Sequence, residues 1–201
     1  MPDRPLRADA QRNREKVLRA ATEAFAASGY GVPLDEIAAL AGVGPGTVYR
    51  HFPTKEALFE AVVTARVESL VGDARARADA ADPGQAFFAF LARIGREAAA
   101  KRDLPDAITI TGPLQENLFA AVDVLLHRAQ QAGAVRTDIS TADLIVLVKG
   151  LIMSIQEASA DAADPRLSNL AFALLSDGLR ASEGGRRGNG DEEDSGKGQD
   201  K

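Results

Sequence analysis

Apolar residues in this chain recur at three- and four-residue spacing, and strict alternation is nearly missing. Over residues 9–28, Val17, Leu18, Ala21, Ala24 and Phe25 form one apolar stripe, which predicts an amphipathic helix ended by Gly29. Residues 34–40 predict a short second helix with Ile37, Ala38 and Ala41 turned inward. Residues 42–44 form a turn, and Pro45 suits the first position of a short third helix. Thr54 is placed to cap a fourth helix reaching to about residue 80, with Glu56 in its first turn.

The same start signal, a capping side chain before proline, returns at Asp82-Pro83 and predicts a fifth helix over 82–101. Pro105 and Pro113 bracket a short sixth segment, and a longer helix follows over 114–133. Ser140 with Asp143 three residues on imitates a capping box, Asp standing in for Glu, ahead of a strongly apolar helix over 140–160. Asp164-Pro165 opens the last helix, ending near residue 181. With β-branched runs bounded by turns missing, the pattern predicts an all-α chain of about nine helices without internal repeats. Residues 182–201 hold six glycines and mixed charge but no apolar anchor, which predicts a disordered tail.

Composition narrows the chemistry. A chain of 201 residues, 45% hydrophobic and 26% charged, can bury a sizeable core. Cysteine is absent, which removes disulfides, thiolate metal sites and cysteine nucleophiles. The two histidines, His51 and His127, stand far apart, so no metal site or cofactor is expected. The polar, arginine-bearing first fourteen residues do not read as a secretory leader, and the apolar run 144–155 is broken by Lys149 and Gly150 and is too short for a bilayer. A cytoplasmic protein without membrane contact is expected.

A net charge of −5 argues at first against nucleic acid, but its distribution matters more than its sum. Residues 1–55 carry +2 and the remainder −7. A mildly basic head on an acidic body suits a protein that meets DNA with one end.

The stretch LDEIAALAGVGPGTVYRHFPTKEALF, residues 34–59, has the parts of a helix-turn-helix. Ala38 is small enough for close helix approach, Gly42 can adopt positive φ in the turn, and Val43 plugs the core behind it. Gly46 lets the backbone of the third helix come close to DNA, while Thr47, Tyr49, Arg50 and His51 supply polar groups on that helix. Gly42, Gly44 and Gly46 fit neither a P-loop nor a dinucleotide fingerprint.

This tract, above all AGVGPGTVYRHFPTKEAL, resembles the DNA-binding domain of the TetR family over roughly residues 12–62. The resemblance implies a helical repressor that binds double-stranded palindromic operator DNA as a homodimer and is released by a small-molecule effector. It places Pro45, Gly46, Thr47, Tyr49, Arg50 and His51 on the recognition helix, makes Lys55 a phosphate-binding lysine, and makes Phe52 a buried aromatic. The expected domains are a helix-turn-helix DNA-binding domain over 1–55, a helical effector-binding and dimerisation domain over 56–181, and the tail over 182–201. Asp35 is acidic where some members touch a base, and is assigned to the helix dipole. The tract LLHRAQQAGAVRTDISTADL resembles an element of one subgroup of effector domains.

Beyond the head the residues leave alternatives open. Arg12 and Arg14 are candidates for phosphate contact or for a solvated leader. Gly72 is a hinge or a point of tight packing. Phe88, Leu91, Asp123, His127, Met153 and Gln156 are candidate effector-pocket residues, each with a plain reading as core, surface or an i,i+4 pair. Leu144, Leu147, Leu151, Leu170, Leu174 and Leu175 exceed what one helix pair needs, which predicts dimerisation through the last two helices. An enzyme has no nucleophile–base pair or cofactor loop in its favour. A ligand-independent regulator or activator with the same head is the other reading.

Overall fold

The computed structural model describes residues 4–99, 112–158 and 165–181. Eight helices run through these residues: α1 (Arg4–Ser28), α2 (Leu34–Ala41), α3 (Pro45–His51), α4 (Lys55–Arg77), α5 (Pro83–Ala99), α6 (Pro113–Gln131), α7 (Thr141–Ala158) and α8 (Pro165–Leu179). The expected short segment between Pro105 and Pro113 lies mostly outside the described residues, as does the expected tail. Extended pairing among the described residues is limited to one antiparallel bridge, Val135 with Arg180.

The capping side chains do what their spacing predicts. Thr54 Oγ1 accepts from the Ala57 amide at 3.1 Å, and Asp82 Oδ1 from the Gln85 amide at 2.8 Å. At the start of α7 the exchange is reciprocal: the Asp143 amide donates to Ser140 Oγ at 3.2 Å, and the Ser140 amide to Asp143 Oδ2 at 2.9 Å. Each such cap contributes about 1 kcal/mol.

Of the helix ends that depart from expectation, three have a local cause. α1 begins at Arg4 rather than residue 9, because Pro5 is tolerated in the first turn and Arg, Ala and Gln favour helix. α4 stops at Arg77, short of residue 80, where Ala78 and Ala80 donate back to Arg75 and Arg77 in tighter turns. α8 stops at Leu179 because the next residues pair elsewhere. Arg136 donates to the Leu179 carbonyl at 3.0 Å and Ala181 to the Ala134 carbonyl at 3.2 Å, tying the end of α8 to the α6–α7 connection.

Two main apolar cores result. The first gathers Val17, Phe25, Ile37, Ala38, Val48 and Phe52 from α1 to α3 with Leu58, Phe59 and Val62 of α4. The second takes Val67, Val71 and Ala74 of the same α4 together with Phe87, Phe90, Leu91, Leu125 and Leu126. α4 therefore runs unbroken through both, and Val63 packs against each. A small third cluster joins Ile155 to Phe172. Gly95 is buried where α5 meets α8: an added Cβ would stand 2.7 Å from the Phe172 ring. Its carbonyl accepts from Ser168 Oγ at 2.8 Å.

Candidate nucleic-acid interface

α2 and α3 are held by a turn with glycine at its centre. Gly42 closes α2 at φ +65°, a left-handed conformation costly for other residues. The Val43 amide then reaches back to the Ala38 carbonyl at 3.0 Å. Ala38 is buried, and its small side chain lets α2 sit close to its neighbours.

α3 has an inner and an outer side. Val48 is fully buried and anchors the helix, and Phe52 just beyond it is buried as expected. Pro45, Gly46, Tyr49 and Arg50 are exposed, while Thr47 and His51 are half-buried at the edges. Tyr49 leaves 48% of its surface in solvent, unusual for an aromatic that has a core beside it. A Cβ on Gly46 would meet nothing within 4 Å, so no internal packing demands glycine there.

Lys55 starts α4 beside this surface, and its ammonium lies 4.6 Å above the Tyr30 ring. Tyr30 in turn stacks on Phe25 with centroids 6.0 Å apart, meets Phe59 edge-on at 5.3 Å, and donates from its hydroxyl to Glu56 at 2.7 Å. Burial, then the bond to Glu56, pushes the phenol up to about 12. Sequence reasoning passed over Tyr30; the aromatic just after Gly29 was the available signal. Arg14 lies over the Phe52 ring at 5.4 Å, and Arg12 pairs with Asp9. Asp35 and Glu36 are exposed in the first turn of α2, at the positive end of its dipole.

The six candidate pocket residues differ in their surroundings. Leu91 is buried in the second core. Phe88 lies under the Arg180 guanidinium at 4.4 Å. Asp123 accepts from Thr141 Oγ1 at 2.6 Å and stands 3.3 Å from His127, on a half-exposed flank of α6. Met153 is 46% exposed and Gln156 half-buried on α7. Periodicity marks such residues as apolar or polar, but not which neighbour covers them. A cavity of about 420 Å³ opens elsewhere, between α1, α4 and α5, and none of the six lines it.

Of the six leucines expected at a dimer face, Leu144 is instead buried in the chain's own second core. Leu147, Leu170 and Leu174 are exposed, together with Val146 at 70%.

A short helix-turn-helix set at one end of an all-helical chain, polar outward and apolar inward, defines a helix-turn-helix transcription regulator. Residues 17–62 match the model of bacterial regulatory proteins of the tetR family, and residues 82–181 that of the C-terminal domain of SbtR-like transcriptional regulators. The crystal structure of the TetR transcription regulatory protein from Mycobacterium vanbaalenii is 39% identical, with 88% of this chain and 100% of that one covered and a TM-score of 0.64. The TetR transcriptional regulator SCO0520 from Streptomyces coelicolor is 29% identical over 84% of this chain and 99% of its own, with a TM-score of 0.65. The HTH-type transcriptional regulator UidR of Escherichia coli (strain K12) is 27% identical over 193 residues, covering 90% of this chain and 95% of that protein. The chain belongs to the TetR family. It is a transcriptional regulator and not an enzyme. Among the described residues no helix is long and apolar enough to cross a membrane.

Proposed function

We propose that the chain is a cytoplasmic repressor that binds a palindromic operator as a homodimer and leaves it when a small-molecule effector binds. In this reading residues 1–55 are the DNA-binding domain and 56–181 the dimerising, effector-binding body. The observation that carries the DNA half is the two-sidedness of α3: Val48 is locked in the core while Pro45, Gly46, Tyr49 and Arg50 face out. Arg50 is matched to reading base edges, Thr47, Tyr49 and His51 to phosphates or thymine methyls, and Lys55 to a phosphate.

The dimer half rests on the exposed apolar row of α7 and α8. Val146, Leu147, Leu170 and Leu174 are large apolar side chains left exposed on these two helices, as an interaction face would be. Pairing these helices with their symmetry mates buries them in a four-helix interface. Two copies of α3 then enter successive major grooves about 34–36 Å apart. Release follows by linkage: an effector lowers DNA affinity only by binding the DNA-incompetent spacing more tightly.

The test is a mobility-shift titration on the chain's own upstream region, repeated with a metabolite panel. Tight, salt-sensitive binding to a palindrome, relieved by one compound, is the expected result. Binding that no compound relieves favours the ligand-independent reading, and no binding at low ionic strength overturns the DNA assignment.

A further inference from the structure

The cavity between α1, α4 and α5 has an unequal lining. Phe25 and Ala26 of α1 and Val62 and Val63 of α4 supply apolar walls, and its polar end is made by Arg66, Arg93 and Glu97. Glu97 is shared: its Oε2 is 3.0 Å from Arg66 Nε, and its Oε1 accepts from Arg93 Nε at 2.8 Å. Arg93 also donates to Ser69 Oγ at 2.8 Å and lies 3.3 Å from Asp73, which Arg77 engages at 2.9 Å. Among the described residues, three guanidiniums therefore face two carboxylates, an excess of one positive charge.

Of the two that line the cleft, Arg66 is the less paired. Glu97 is its one partner among the described residues, and a guanidinium carries five N–H donors. Burial pulls its pKa below the ordinary arginine value despite the nearby carboxylate. A half-buried cation with spare donors at the end of an apolar cleft is matched by a carboxylate or sulfonate on an apolar body. About 420 Å³ is room for a molecule of one or two rings.

We propose that this cleft binds a small amphipathic monoanion, its apolar part between α1 and α4 and its charge on Arg66. Such a molecule would touch α1 of the head and α4 and α5 behind it at once. The site lies apart from the residues offered above as an effector pocket, and it stands or falls on binding alone, whatever the chain does to transcription.

Calorimetric titration with 2-naphthoate tests it on the full-length protein. One equivalent per chain is expected, with the cationic analogue 2-(aminomethyl)naphthalene giving no heat. Arg66→Met, which keeps the stem and removes the charge, should weaken binding about tenfold or more. Ala26→Trp should abolish it by filling the cleft. Glu97→Gln should strengthen it, because the carboxylate competing for both guanidiniums is gone, and a misfolded variant cannot produce a gain. No uptake by the wild type, unchanged affinity in Arg66→Met or Ala26→Trp, no gain in Glu97→Gln, or equal uptake of the cationic analogue overturns the proposal.

Discussion

The Tyr30 hydroxyl donates to Glu56 at 2.7 Å across 26 positions of sequence, and the ring beneath that hydroxyl carries Lys55 on its face. One phenol thus ties the loop after α1 to the first turn of α4. The pair is strongest while Glu56 is ionised and Tyr30 is not.

That condition fixes a pH window. The phenol is held up to about 12, mainly by burial and then by Glu56, so the folded state keeps its proton where the unfolded chain has lost it. Its contribution is present below the unfolded value near 10 and fades as pH rises toward 12. Glu56 is shifted the other way, chiefly by accepting from Tyr30, so its contribution is lost as pH falls through its lowered folded value. In Tyr49→Phe, with Tyr30 the one tyrosine left of two, ultraviolet titration should show a midpoint near 12 that Glu56→Gln brings down. An unchanged midpoint contradicts the coupling.

Lys55 and Arg50 are expected to fail differently. Lys55→Ala should weaken binding about equally across operator variants and flatten the dependence of log affinity on log salt by roughly one unit. Arg50→Ala should change which variants are preferred. Mobility shifts at several ionic strengths on a small operator set separate the two.

Two glycines predict opposite stability effects. At Gly95 an added methyl drives into the Phe172 ring, so Gly95→Ala should cost about 1–3 kcal/mol and lower Tm by about 2–4 °C per kcal/mol. At Gly72 a Cβ meets open space, which removes the tight-packing reading of this residue. Gly72→Ala should therefore raise stability by about 1 kcal/mol. If it also leaves DNA binding and its release untouched, Gly72 is no hinge.

Leu174→Arg places a charge on the exposed apolar row of α8 while sparing the chain's own core. Sedimentation should show a shift from dimer to monomer, with operator affinity falling as the second half-site contact is lost. A dimer that survives the substitution moves the interface off this face.

Much of this architecture is legible in the residues. The caps at Thr54, Asp82 and Ser140 appear as spaced, because a cap is a local contract between a side chain and an amide three residues on. Gly42 takes the positive φ its turn requires. Long-range pairings were hidden. Arg93 bonds Ser69 across 24 positions, and only the i,i+4 pairs Asp73–Arg77 and Arg93–Glu97 gave any sign of that network. The same blindness put Leu144 at the dimer face: seven residues from Leu151 on one helix, it nevertheless packs inward under α6 and its neighbours. Which side of a helix meets its own chain and which meets another is decided by helices far away in sequence.

α4 holds 23 residues without a break, a rod of about 35 Å rooted in separate clusters at its two ends. A helix that moves as one shaft converts angle into distance. Tilting it by about 5° about its far end carries the near end some 3 Å, roughly the rise of one base pair. In a twofold pair the two shafts swing in opposite senses, so the span between reading heads changes by up to twice that amount. On a palindrome bound by two such heads, a tilt of that size would put both out of step with the double helix.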